Sequence, residues 1–387
     1  MKVWSLLLAL VIGFALLPSC REKSKINNQI VVTAIGIDAA ADGLCKLSIQ
    51  AIETLKTSGS LSEQSENATR LYEIEAPSVA AALEAFVTTA GRTTYILHNR
   101  VIAIGMSALH QQSLVSLTDY FVRNHEGRPL VDMVVCRDSA AAVLEVPSTS
   151  YTIPAEHLSM LLQEANRRGH AVRGRLLDVE RALSGMWDAA LPIVSIEGES
   201  ENQTLKTDGT ALFRDGWYAG ELDDGATRGL LFARGDLDST LYTLELNDDQ
   251  RLTVEVYNAR TSVRLQPADS LAAADGRSGA YTFTITCDAG IVEESAPGSW
   301  DISQLPAINA ALSARIRADV EQAIAASAIA HGSDVIALKR TAMKQAPSLI
   351  RGREYMWNAL LPDCTYTANV VATVRKIGVE SGETGQK

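Results

Sequence analysis

The chain lacks most of the features that announce a chemistry. Its 387 residues include five cysteines, far too few for a disulfide scaffold. Cys45, Cys136, Cys287 and Cys364 belong to no C-x-x-C pair and read as small buried hydrophobes. The six histidines are His98, His110, His125, His157, His170 and His331. None stands in H-E-x-x-H or four residues from another, so helical metal-ligand spacing is missing. No G-x-S-x-G, G-x-G-x-x-G or G-x-x-x-x-G-K occurs. Positive charge is in deficit, 35 Lys and Arg against 46 Asp and Glu for a net −11, which argues against a nucleic-acid surface. No apolar run reaches the roughly 20 residues of a membrane-spanning helix. The sequence therefore predicts no enzyme, no cofactor, no metal and no nucleic-acid partner.

What remains is ordinary globular composition, 47% hydrophobic and 21% charged. The length corresponds to two or three domains at roughly 100–200 residues each. The amino terminus is distinctive. Met1-Lys2 precedes Val3 to Leu17, apolar except for Ser5 and Gly13, and the run closes in Leu17-Pro18-Ser19-Cys20 before the polar Arg21-Glu22-Lys23-Ser24-Lys25. A short apolar core with an abrupt polar end reads as a secretion signal. An aliphatic residue three before the Cys and a small residue just before it match a lipobox, although Pro18 is less usual there. That chemistry needs a thiol, because the sulfur is alkylated with diacylglycerol before cleavage. Residues 1–19 are thus expected to be a lipoprotein signal peptide and Cys20 the lipid-attachment residue; losing Lys2 takes the charge from −11 to −12. Against this stands an uncleaved anchor with a chance Cys.

Along the chain, Ile30 to Ile37 reads as a strand closed by Asp38 and Leu44 to Leu55 as a second, with Ala41-Asp42-Gly43 turning between them. Residues 56–69 are a polar exposed loop. Tyr72 to Glu75 is a strand, a helix opens at Pro77-Ser78, and Leu97 to Gly105 is another strand. Helices follow at Ser113 to Arg123, Ser139 to Leu144, Pro154 to Arg168 and Leu176 to Leu183, with strands at Leu130 to Cys136 and Leu191 to Ile196. The polar stretch 199–206 is the expected linker between an N-terminal α/β domain, 20–198, and a C-terminal region, 207–380. That region divides into a hairpin–helix part at about 207–240, where Asp223 caps the helix, and a sheet with long helices at about 241–380; residues 381–387 are a tail. Leu241 to Leu246, Leu252 to Leu265 and Tyr281 to Cys287 alternate as half-buried antiparallel strands. Helices are expected over Ile302 to Ile329, from Asp334, and over Ser348 to Leu360, before a final strand, Thr365 to Val374. The predicted fold class is α+β, multi-domain, with mixed β-sheets each packed with helices after a cleaved lipoprotein signal peptide.

Several local features have plain explanations. Arg234-Gly235-Asp236 is a chance tripeptide, and Asp223-Asp224 and Asp236/Asp238 lack calcium-loop spacing and read as caps and turns. Arg167, Arg168, Arg173 and Arg175 around His170 form the basic cluster; a helix C-terminus favours such charge, ahead of an anionic-lipid or partner contact. Trp187, Trp217, Trp300 and Trp357 are too dispersed for a ligand cage.

Taken in order, several segments resemble the Ger(x)C spore germination lipoproteins, the C subunits of nutrient germinant receptors. These are Ile35-Gly36-Ile37-Asp38, His98 to Gly105 (HNRVIAIG), Leu117 to Asn124 (LTDYFVRN), Gly209 to Phe213 (GTALF), Gly216-Trp217, Gly220-Glu221, Glu221 to Phe232 (ELDDGATRGLLF), His331 to Ile336 (HGSDVI) and Tyr355 to Pro362 (YMWNALLP). The resemblance covers nearly the whole mature chain; each motif is weak alone, and order and spacing carry it. The segment after Cys20 departs from the family's usual Trp-Asp step. The resemblance implies a non-catalytic, lipid-anchored protein of about three mixed-sheet domains on the outer face of the inner spore membrane. It implies integral membrane A-type and B-type subunits as partners and germination in response to amino acids or sugars, with no catalytic residues or cofactor. Two other classes compete. An extracytoplasmic solute-binding lipoprotein would show two doubly wound lobes around a hinge cleft. An envelope hydrolase would need carboxylates paired across long sequence separations.

Overall fold

A computed structural model describes residues 29–52, 69–124, 127–148, 150–199, 202–247, 250–266, 279–295, 300–352 and 354–376. Cys20, the segment after it, His125 and nearly all of the expected loop at 56–69 lie outside the described residues. Two mixed sheets organise the rest, and the fold class matches the sequence expectation.

The larger sheet has nine strands. β1 (Gln29–Ala39), β2 (Cys45–Ile52), β3 (Thr69–Ala76), β4 (Thr93–Tyr95), β5 (Val101–Gly105), β6 (Asp132–Cys136), β7 (Ala190–Glu197), β8 (Thr204–Arg214) and β9 (Trp217–Leu222) run in the order β3-β2-β1-β5-β6-β7-β8-β9, with β4 beside β1. Its centre, β1-β5-β6-β7, is parallel, and both flanks are antiparallel. Every residue of β5 and β6 is buried, as the apolar runs VIAIG and, after Asp132, MVVC require of strands covered on both faces. One face carries α1 (Val79–Ala90), α2 (Met106–Gln111), α3 (Leu114–Arg123) and α6 (Leu176–Arg181); the other carries α4 (Ala140–Glu145) and α5 (Pro154–Arg167). Ser78 caps α1, Ser113 caps α3 and Ser139 caps α4, each side chain accepting from a backbone N–H three residues on.

The smaller sheet, β10 (Ser239–Asn247), β11 (Gln250–Gln266), β12 (Ala280–Glu294) and β13 (Thr365–Lys376), is antiparallel except that β13 lies parallel to β12. Its strands alternate because only one face is covered. There α7 (Asp224–Arg234) and α8 (Leu305–Ile324) pack through Leu230, Phe232, Ile308, Leu312, Ile316 and Val320 onto Val254, Phe283 and Ile285. Thr284, Thr286, Thr367, Asn369 and Val371 lie exposed on the opposite face.

Three expectations change. The strand predicted from Leu97 starts at Val101, because Ile96–His98 forms a tight turn closed by Asn99 N–H on the Ile96 carbonyl. The helix predicted from Ser348 to Leu360 breaks into turns at Pro347–Ile350, Glu354–Met356 and Trp357–Leu360; Gly352, at φ +77°, adopts the left-handed backbone that ends such a run. The helix expected from Asp334 begins at Leu338 as α9 (Leu338–Gln345). The polar stretch 199–206 does not end the sheet. β8 starts within it and pairs along β7 from Glu197–Thr204 to Ala190–Leu212, so β8 and β9 complete a sheet begun before that stretch.

Candidate functional site

The motifs singled out in the sequence gather into three polar knots that tie elements together. In the first, Asp38 at the end of β1 accepts hydrogen bonds from Ala140 N–H at 2.9 Å and Ala141 N–H at 3.2 Å, capping α4 from a distant strand. Burial raises its carboxyl pKa against those two bonds. Gly105, one parallel strand away, has no room for a side chain: a Cβ there would overlap the Asp38 carboxylate. The glycines and aspartate of IGID and IAIG are thus one packing unit. Within LTDYFVRN, Leu117 and Phe121 enter the core, while Asp119 pairs with Arg123 at 2.8 Å. Asn124 donates to the Tyr120 hydroxyl at 2.9 Å.

The second knot joins α7 to α8 and absorbs ELDDGATRGLLF. Asp223 caps α7 by accepting from Ala226 N–H at 2.7 Å, as the sequence predicted. Thr227 reaches Thr210 of β8 at 2.9 Å. Arg228 donates Nε to Asp319 at 3.1 Å and Nη1 to Asp224 at 3.1 Å, with its guanidinium 4.9 Å from the Tyr242 ring centre. Tyr242 completes the knot by donating to Asp319 at 2.8 Å. Both Arg228 and Asp319 are buried. A Cβ on Gly229 would overlap the Asp319 carbonyl oxygen, so this glycine sets how closely the two helices approach.

The third knot binds the nine-stranded sheet to the C-terminal elements, and it is the candidate functional site. Asp334 is buried, and among the described residues no cation pairs with its carboxylate. Its two oxygens accept from Leu338 N–H at 2.6 Å, Lys339 N–H at 2.8 Å and the Trp357 indole at 2.8 Å. Burial pushes its pKa up to about 7, against the pull of those donors. Asp188, just before β7, accepts from Asp334 N–H at 2.8 Å and from Asp215 N–H at 2.9 Å, and its own N–H donates to the Asp334 carbonyl at 3.1 Å. Ser333 donates to the Phe213 carbonyl, and Asn358 donates to Asp215 at 3.1 Å. A Cβ on Gly220 would overlap the His331 ring. HGSDVI and YMWNALLP therefore meet β8 and β9 here, beside a cavity of about 240 Å³ that Trp187, Tyr355 and Trp357 help to line. Two of the tryptophans taken as dispersed share this cavity, while Trp217 is exposed and Trp300 donates to Glu294 at 2.8 Å.

The basic cluster resolves into separate pairs: Arg167 with Glu164, Arg168 with Glu255, His170 with Asp224 and Arg173 with Asp178. Arg234 of the chance tripeptide ends α7 and donates Nε to the Val335 carbonyl at 2.6 Å. The four cysteines Cys45, Cys136, Cys287 and Cys364 are buried and free. Among the described residues no three His, Cys, Asp or Glu gather as a metal site, and no helix is long and apolar enough to cross a membrane. Sequence reading missed Asp188 and Asp319. Asp319 left a trace, a carboxylate on the stripe Ile308, Leu312, Ile316, Val320 of an amphipathic helix. Asp188 left none, because its role depends on chain 146 residues away.

Comparison with known proteins agrees with this architecture. The family model described as spore germination protein N-terminal domain matches residues 22–196. The model described as spore germination B3/GerAC like, C-terminal, matches residues 208–378. Spore germination protein KC of Bacillus subtilis (strain 168) is 22% identical over 218 residues, 53% of each chain, so this chain spans about half the length of that curated relative in the match. The crystal structure of the GerBC protein superposes with a TM-score of 0.58 at 15% identity, over 88% of this chain and 96% of that one, and shares the fold. With its two halves matched in order by the two models of one family, the chain belongs to the GerAC family of spore germination proteins.

Proposed function

We propose that the protein is the non-catalytic, lipid-anchored C subunit of a nutrient germinant receptor, held through Cys20 on the outer face of the inner spore membrane beside integral membrane A-type and B-type subunits. The observation that carries this reading is the use to which the family motifs are put. Asp38, Gly105, Arg228, Gly229 and Asp334 hold strands and helices together, and Asp334, which reaches the wall of the cavity at the third knot, has its two oxygens engaged by Leu338 N–H, Lys339 N–H and the Trp357 indole. Such a molecule acts by being in the right place. Two acyl chains at about 0.8 kcal/mol per buried methylene hold a protein stably at a bilayer. Confinement to that layer raises its effective concentration toward membrane neighbours, so modest interfaces suffice. The nutrients are small molecules such as amino acids or sugars, sensed by the assembled complex.

The solute-binding alternative calls for two doubly wound lobes, and the described residues form one nine-stranded and one four-stranded mixed sheet instead. The test is Cys20→Ala in spores. The expected result is loss of the protein from the membrane fraction and failure to germinate on nutrients, with two membrane subunits co-purifying with the unsubstituted protein only. A Cys20→Ala protein that stays membrane-bound and supports full germination would overturn the anchoring.

A further inference from the structure

A second, larger cavity lies beside the polar joint and shares Trp187 with it. It is a cleft of about 700 Å³ between the segment Asn166–Trp187, the C-terminal end of α7, strand β11 and helix α9. Five cations line it: Arg173, Arg181, Arg234, Arg340 and Lys344. That concentration runs against the whole chain, whose net charge is −11. Three carboxylates share the cleft, Asp178, Asp236 and Asp238. Asp178 is already engaged by Arg173 at 3.2 Å and Arg181 at 3.9 Å.

The remaining three cations are arranged for something absent from the fold. Arg340 and Lys344 stand one turn apart on α9, both exposed, a like-charge spacing that a helix does not favour. Neither they nor Arg234 has a carboxylate within ion-pair distance among the described residues, and Arg234 spends its Nε on the Val335 carbonyl, which leaves the two terminal nitrogens of its guanidinium for a ligand. Burial lowers the Arg234 pKa, the cost of a part-buried charge whose nearby carboxylates, Asp236 foremost, only partly offset it. Four of the five cations are arginines, whose planar fork matches the paired oxygens of phosphate and carboxylate groups.

We infer that this cleft is a binding site for a compact multivalent anion bearing phosphate or paired carboxylate groups, held by Arg234 from the floor and by Arg340 and Lys344 from the α9 wall. The inference is independent of the anchored-subunit reading above.

Inorganic pyrophosphate and citrate are the probes, titrated calorimetrically into the purified full-length chain in phosphate-free buffer, with thermal melting in parallel. The expected result is saturable binding, with Tm rising on addition of probe by mass action. Arg340→Gln/Lys344→Gln is expected to weaken binding by roughly tenfold or more while leaving the Tm without probe unchanged, because both side chains are exposed. Arg234→Gln is expected to abolish binding. Lys46→Gln, remote and paired with Glu73, is expected to change nothing. Phosphatidylglycerol vesicles that displace pyrophosphate, where phosphatidylcholine vesicles do not, would identify the anion as a lipid headgroup; failure to displace it would identify a soluble ligand, and either upholds the site. No binding at millimolar probe, or binding that survives the α9 double substitution unchanged, would overturn it.

Discussion

Two buried aspartates hold this molecule together in opposite ways. Asp319 sits between α7 and α8 and is neutralised chiefly by Arg228 at 3.1 Å, with exposed Arg315 at 3.7 Å and Tyr242 as a further donor. Asp334 sits between the large sheet and the C-terminal turns and is satisfied by two backbone N–H groups and an indole, with no cation paired to it among the described residues. An ion pair is separable, because both of its members are side chains and both can be exchanged for neutral groups. A carboxylate bound by backbone is not, because its donors remain whatever replaces it. The first joint is therefore open to substitution as a pair, and the second is fixed by the course of the chain.

Substitutions sharpen that contrast. The largest loss is expected for Arg228→Ala, which leaves buried Asp319 with the exposed Arg315, 3.7 Å away, as its remaining cation and costs about 3–5 kcal/mol, read by urea unfolding. Arg228→Met/Asp319→Asn is expected to recover at least half of that loss, since the amide oxygen introduced at position 319 still accepts from Tyr242; a double variant as unstable as the single one would end the separable-pair interpretation. Next comes Gly229→Ala, where a methyl group overlaps backbone on the facing helix. It is expected to cost about 1–3 kcal/mol by overpacking and, because the overlapped carbonyl belongs to Asp319, to strain the Arg228 pair as well.

Asp334→Asn turns an amide NH₂ toward N–H donors and is expected to cost about 1–3 kcal/mol. Its diagnostic reading is the pH profile. The folded carboxyl titrates at about 7 against an ordinary 3.8, so over that interval the folded state holds more protons than the unfolded chain. Its contribution is therefore full below pH 3.8 and is lost as pH rises through about 7. Buried Asp38, Asp132 and Asp188, whose pKa values are also raised, contribute with the same sign. The Asp334→Asn protein should accordingly show a shallower decline across this interval than the parent; an identical slope would show that Asp334 does not titrate there. The smallest effect belongs to the bare face of the four-stranded sheet, where Val371→Thr is expected to change stability by no more than about 0.5 kcal/mol.

Much of the fold was legible in the sequence because it rests on local periodicity. The continuous runs of β5 and β6, the alternation of β10 to β12 and the 3–4 spacing along α8 each report how many faces a segment buries. Ser78, Ser113, Ser139 and Asp223 announced helix starts within three residues. What periodicity cannot carry is pairing at a distance. The break at Gly352 was masked by Ile350, Trp357 and Leu361, which bury a face without a continuous helix. The third knot depends on Asp188 meeting Asp334, and neither residue is unusual in its own neighbourhood. The family resemblance located the segments that matter; only the fold gave their work a physical content.

The pairing of β7 with β8 has a practical consequence for anyone dividing this chain. A fragment stopped at residue 198 would keep every strand up to β7 but strip that strand of its neighbour, leaving the unpaired N–H and C=O groups of the apolar strand Ala190 to Ile196 as a raw margin along which copies stick to one another. A fragment extended through Leu222 carries its own hem, β8 and β9, and is the smaller piece to attempt in isolation.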